Sequence, residues 1–248
     1  MHFRLSSMKT EPLLTCLPRE LIILILQHCQ GEDILNFAEA FQNSEIDHLL
    51  ENEALWQKPK IGPSSLRKYL KYLGTHTKEI TVLGFVTLTE SCTPKKAVYE
   101  KSEYLPESVI SSISLRCPNL IDFKLKNCVI DTEKVKLSLF PKSIKNLKFD
   151  CVDLLNKSKD MWAVNASPFY GIKNNLPSLE TLELENPWYY RHWDCLAILS
   201  GCELHPSMDI NRSSHVYTFR DESAVLSSSE RKDTSQHFMD LMVNQGNR

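Results

Sequence analysis

The sequence predicts a mixed chain of the α+β or α/β repeat kind: a small three-helix module, then a short irregular arc of parallel strands. Three observations carry that expectation. From Leu21 to Leu26 six residues in a row are apolar, opened by Leu17-Pro18 and answered downstream by Leu55-Trp56. Four later segments place apolar residues at the same two alternating positions. The 248 residues are 42% hydrophobic and 24% charged, a balance that supports a sizeable core and argues against wholesale disorder.

The helical module is read element by element. Residues 1–15 have no period and are expected to be a flexible lead-in. Pro18 suits the first turn of a helix, where its missing N–H costs nothing. That helix is expected to run to about Gln30, with Gly31 at the left-handed position beyond its end. Asp33 can cap a second helix carrying Ile34, Leu35, Phe37, Ala38 and Phe41. Asn43 or Ser44 can open a third, with Ile46, Leu49 and Leu50 at helical spacing. A helix as uniformly apolar as Leu21–Leu26 needs two surfaces to cover it, because an ordinary surface helix has one apolar stripe. Three short helices bury little alone, so the second cover is expected from outside the module.

These residues carry a resemblance. Leu17-Pro18-x-Glu20-Leu21-x-x-x-Ile25, then Asp33-Ile34-Leu35, then Leu55-Trp56 resembles an F-box over residues 16–57. The family's central Val-Cys-Lys/Arg-x-Trp-like run is replaced here by Ala40-Phe41-Gln42-Asn43-Ser44-Glu45. The resemblance implies docking onto a Skp-type adaptor, and through it onto a cullin–RING ubiquitin ligase. The positions it implies as contacts are Leu17, Pro18, Glu20, Leu21, Leu24, Ile25, Leu35 and Trp56.

Residues 58–75 read as a turn-rich joint followed by an amphipathic helix, with Leu66, Tyr69, Leu70 and Leu73 on one face and Gly74 at its end. From 76 to 210 the chain repeats irregularly. Thr77–Phe85, Leu120–Cys128, Ile144–Val152 and Leu179–Pro187 align, all with apolar residues at their fourth and sixth positions. The pattern L-x-x-L-x-L is similar to a leucine-rich repeat, and Cys128 stands where the cysteine-containing class buries a thiol. Two of the three intervals exceed the usual period. One holds a helix expected from about Pro106 to Leu115, the other the polar run Asn156–Asp160.

Alternation turns Ile80/Val82, Phe123/Leu125, Leu147/Phe149 and Leu182/Leu184 inward. It turns Lys124, Lys126, Lys148, Asp150, Glu183 and Glu185 onto the opposite, concave face. These six are the candidate substrate contacts, and the face reads as passing from lysine-bearing to acidic, a match for a basic segment at its C-terminal end. The aromatic cluster Trp188–Trp193 is expected to cap the stack, since terminal repeats must cover an open core. Residues 211–248 are expected to be a mostly disordered tail.

Other chemistry finds little footing. Lysine plus arginine (29) nearly cancels aspartate plus glutamate (31), so no global field recruits nucleic acid or an anionic membrane. The N-terminus lacks the apolar core of a secretory signal, and the expected location is cytoplasmic and/or nuclear. The eight cysteines form no CxxC pair and are expected to be free thiols in apolar sites. His192-x-x-Cys195 and Cys202-x-x-His205 have zinc-ligand residue types, but the apolar Leu196–Leu199 between them reads as core helix. No nucleophile motif or glycine-rich phosphate loop is present. The expected function is therefore a non-catalytic substrate-recognition adaptor of an SCF ubiquitin ligase, with no cofactor and an unknown protein substrate. The alternatives are an F-box-like scaffold that delivers no substrate, and a Cys/His zinc-dependent enzyme.

Overall fold

A computed structural model describes residues 17–41, 48–63, 65–84, 104–155, 167–185, 198, 207–210 and 214–219. Its architecture is mixed α/β around a mostly parallel sheet. The lead-in, the aromatic cluster, the His192/Cys195/Cys202/His205 pattern and the polar run lie outside the described residues.

Helix α1 (Arg19–Gln27) starts one residue after Pro18, which occupies the N-cap. Ile22 and Leu26 face inward and pack on a 3-10 turn, Glu53–Trp56. Two side chains fasten its outer edges: Arg19 donates to the His48 carbonyl (3.2 Å) and Gln27 to that of Ala54 (3.2 Å). Gly31 is not a left-handed C-cap. It opens helix α2 (Gly31–Phe41), where a Cβ would sit 3.1 Å from the Lys60 carbonyl oxygen, so its role is close approach. Asp33 lies within α2 and reaches back to accept the Gln30 N–H (3.2 Å), the returning half of a capping box.

The stretch expected to be a linker is the start of the sheet. Strand β1 (Lys60–Ile61) pairs in parallel with β2 (Glu79–Leu83), and only Leu66–Tyr69 of the intervening segment forms a helix, α3. The remaining elements are α4 (Glu107–Arg116), β3 (Asp122–Lys126), β4 (Val129–Asp131), β5 (Asn146–Asp150), β6 (Asp153–Leu155), α5 (Ile172–Asn175), β7 (Thr181–Glu185), β8 (Ser207–Ile210) and β9 (Ser214–Thr218). The main sheet runs β1-β2-β3-β5-β7-β9-β8, and β4 pairs with β6 in a small second sheet.

The four aligned segments form strands in one register: Ile80, Phe123, Leu147 and Leu182 stand side by side, as do Val82, Leu125, Phe149 and Leu184. All eight are buried. Leu120, Ile144 and Leu179, which open three of the segments, are fully buried behind them. A main-chain relay holds the strand starts together. The Gln57 carbonyl accepts the N–H groups of Lys78 and Glu79, Lys78 those of Ile121 and Asp122, Ile121 those of Lys145 and Asn146, and Lys145 those of Glu180 and Thr181. The relay begins one residue after Trp56, so the helical module is the first cover of the arc.

The other end is closed by β8 and β9, the second of which falls among residues expected to be tail. β9 runs antiparallel beside β7 and buries Tyr217 opposite Leu182. His215, on the same side of β9 as Tyr217, is half-buried, and burial lowers its imidazole pKa. The neutral ring is the form the fold favours, while the unfolded chain takes up a proton near pH ~6.5. Stability from this group is thus complete at higher pH and lost as pH falls. Thermal melts should show a midpoint that falls as pH drops below about 6.5, and His215→Gln should flatten that slope. An unchanged slope in the variant would refute the assignment.

Candidate docking sites

Helix α1 has two apolar sides. Ile22 and Leu26 are in the core, while Leu17 (37%), Leu21 (46%), Leu24 (54%) and Ile25 (45%) remain exposed. Spacings of three and four put Leu21, Leu24 and Ile25 along one flank of the helix, and Leu17 is exposed just before its start. Pro18 and Glu20 are exposed beside it. Hiding a large aliphatic side chain completely is worth about 1.5–3 kcal/mol, so four half-exposed ones leave several kcal/mol available to a partner.

Two positions implied by the resemblance are placed differently. Leu35 is half-buried and packs against the core. Trp56 is 1% exposed, its indole N–H donates to the Leu50 carbonyl (2.6 Å), and its ring stacks on Tyr72 at 4.8 Å and 5°. It offers no surface to a partner; it joins the helical module to the arc. An indole has more apolar area than any other side chain and one donor to satisfy, and this site meets both needs.

On the sheet's outer face the candidate substrate contacts are held in ion pairs, five of them with one another and Lys124 with Glu79 outside the set. Lys124 pairs with Glu79 (2.7 Å), Lys126 with Asp150 (2.7 Å), and Lys148 with both Glu183 (3.0 Å) and Glu185 (2.5 Å). Asn146 donates to Asp122 (2.6 Å) in the row above. Burial alone would lower the Lys148 ammonium, but its hydrogen bonds to Glu185 and Glu183 outweigh that and raise its pKa. The Lys126 pKa is raised by its hydrogen bond to Asp150 and by that carboxylate's charge. The gradient toward a bare acidic end is thus replaced by an ion-pair ladder, with Lys148 shared between the two terminal glutamates. The exposed pairs contribute little stability, about 0–1 kcal/mol each, whereas Asp150 is buried at 6% exposure, with Lys126 as a partner.

Cys117 and Cys128 are buried, and Cys29 and Cys151 half-buried, all as free thiols. Burial pushes the Cys117 thiol up to about 11 despite a hydrogen bond with Thr77, which suits packing rather than nucleophilic attack. Among the described residues no group of three or more His, Cys, Asp or Glu side chains could hold a metal ion, and no helix is long and apolar enough to cross a membrane. No family model matches the chain, and no curated protein matches it.

Proposed function

We propose that the chain is a substrate-recognition adaptor of an SCF-type ubiquitin ligase, its N-terminal module acting as an F-box and its arc as a short leucine-rich repeat. The observation that carries this reading is the second apolar side of α1: Leu17, Leu21, Leu24 and Ile25 stay exposed although Ile22 and Leu26 already anchor the helix. They fall within the Leu-Pro-led motif through which F-boxes dock a Skp-type adaptor. The parallel register of the four repeat strands supports the second half of the proposal, with the ladder of Lys124, Lys126, Lys148, Asp150, Glu183 and Glu185 as the face turned toward a substrate. In this role the chain performs no bond chemistry. It raises the effective concentration of a substrate lysine near the loaded conjugating enzyme.

The test is co-purification of the full chain with a Skp-type adaptor, comparing wild type with Leu21→Glu/Ile25→Glu. Both positions are exposed, so the thermal midpoint should be unchanged. Burying two carboxylates in an apolar interface should weaken capture by at least about a hundredfold. Absence of capture by wild type, or equal capture by the double variant, sinks the proposal.

A further inference from the structure

Near-neutrality of the whole chain conceals a sharp local division of charge. Between Leu17 and Glu53 there are eight carboxylates and one arginine. From Gln57 to Lys78 there are six lysines and arginines and no carboxylate. All six, Lys58, Lys60, Arg67, Lys68, Lys71 and Lys78, are exposed. The fold gathers them at one end of the sheet. The Lys78 N–H donates to the Gln57 carbonyl (2.9 Å), which brings Lys78 beside Lys58, and Lys60 follows on the outer side of β1. Arg67, Lys68 and Lys71 stand on the outward side of α3 and its following turn, because Leu66, Tyr69 and Leu73 fill the inward side.

Among the described residues three of the six cations are engaged, Lys58 by a carboxylate. Lys58 lies 3.7 Å from Glu79, Arg67 reaches the Ser108 hydroxyl (3.3 Å), and Lys71 sits over the Tyr72 ring (4.6 Å). Among the described residues Lys60, Lys68 and Lys78 have no carboxylate partner. The contrast with the sheet face is informative: there Lys124, Lys126 and Lys148 each meet a carboxylate on a neighbouring strand, and here Lys58 meets one at 3.7 Å while those three lysines meet none.

We infer that this basic collar is a second docking surface, and that it takes an acidic segment of a partner polypeptide. Its limited extent selects that class. The collar ends against the acidic helical module, where Glu51 and Glu53 are each 73% exposed at the side chain. Duplex DNA carries a charge about every 1.7 Å along its axis and would run onto those carboxylates, whereas a short acidic peptide can stop before them. The aromatic rings of the segment are also committed elsewhere: Tyr69 is buried, and Tyr72 is stacked on Trp56, so neither forms a platform for bases. A membrane surface meets the same acidic border, and the apolar side of α3 is spent on the core. The inference is independent of the adaptor proposal, since it involves neither α1 nor the ladder face as the binding surface.

Fluorescence polarisation with the full chain tests it, the probe being a fluorescein-labelled peptide of alternating Glu and Ser. The variant Lys60→Gln/Lys68→Gln/Lys78→Gln should bind about tenfold more weakly than wild type, and the wild-type affinity should fall as salt rises from ~50 to ~150 mM, because exposed charges are screened over that range. The charge-matched control Lys134→Gln/Lys142→Gln/Lys145→Gln, three exposed lysines outside both the collar and the ladder, should bind within about twofold of wild type. Thermal melts of both variants confirm that each is folded. Absence of peptide binding by wild type, an equal loss in the control, or tighter binding of a duplex DNA oligonucleotide or of phosphatidylserine vesicles would each overturn the inference.

Discussion

Replacing Trp56 by alanine is expected to lower the unfolding free energy by about 3–5 kcal/mol, the range for removing a large aromatic side chain from a core. Its surroundings give the reason. The ring is 1% exposed, stacks on Tyr72 and lies 5.6 Å from Tyr69, so its removal opens a cavity between the helical module and α3. It also leaves the Leu50 carbonyl without its 2.6 Å donor. A domain of ordinary stability has about 5–15 kcal/mol in total, so the variant should be severely weakened or unfolded at physiological temperature. Trp56→Phe keeps most of the apolar contact and loses the donor, at a cost of about 1–3 kcal/mol. Denaturant melts of the two variants separate a core role from a docking role. A docking tryptophan on the surface would lose adaptor capture with stability intact, and a loss under about 1 kcal/mol for the alanine variant would contradict the burial described above.

How much of this was legible in the sequence varies with the physical signal. The four repeat strands were readable because each alternates strictly, and the inward residues are large and apolar. Strand β1 was not, because Lys58-Pro59-Lys60-Ile61-Gly62-Pro63 carries two prolines and a glycine, which read as a turn. Pro59 is tolerated since its carbonyl, the group it still has, accepts the Thr81 N–H (3.0 Å) at the sheet edge. Strand β9 was missed because its inward positions are His215 and Tyr217, followed by Phe219, and histidine does not count toward an apolar pattern. Only the neighbouring β7 shows that this polar-looking stretch covers the end of the core. The exposed flank of α1 was legible, since six apolar residues in a row cannot all face one core. The fate of Trp56 was not. A motif groups residues by spacing, and burial depends on what the rest of the chain brings alongside, here Tyr69 and Tyr72. The basic collar is hidden in the composition for a related reason: opposite charges distant in sequence cancel in a total but not on a surface.

The sharpest expected backbone effect is at Gly84, where β2 leaves the sheet. A Cβ added there would overlap the Asn127 carbonyl oxygen and lie 2.9 Å from its carbon. Both are main-chain atoms, and they cannot rotate away. Asn127 itself is held with a positive φ of 53°, its N–H bound to the Asp150 carbonyl (2.9 Å). Gly84 donates to the Lys126 carbonyl (2.8 Å), so parting the two chains would break a ladder bond as well. Gly84→Ala should therefore cost about 2–4 kcal/mol, combining overpacking with a lost hydrogen bond. Gly62 gives the contrasting case. A Cβ there would meet the Glu32 carboxylate oxygen at 2.6 Å, but that atom ends a flexible side chain. Glu32 can swing aside at the expense of its hydrogen bond from Ser65 (2.8 Å), so Gly62→Ala should cost only about 1 kcal/mol. The order of the two losses in denaturant melts decides the matter. If Gly62→Ala proves the more damaging, the close approach of β2 and β3 at Gly84 is not the constraint that the geometry makes it.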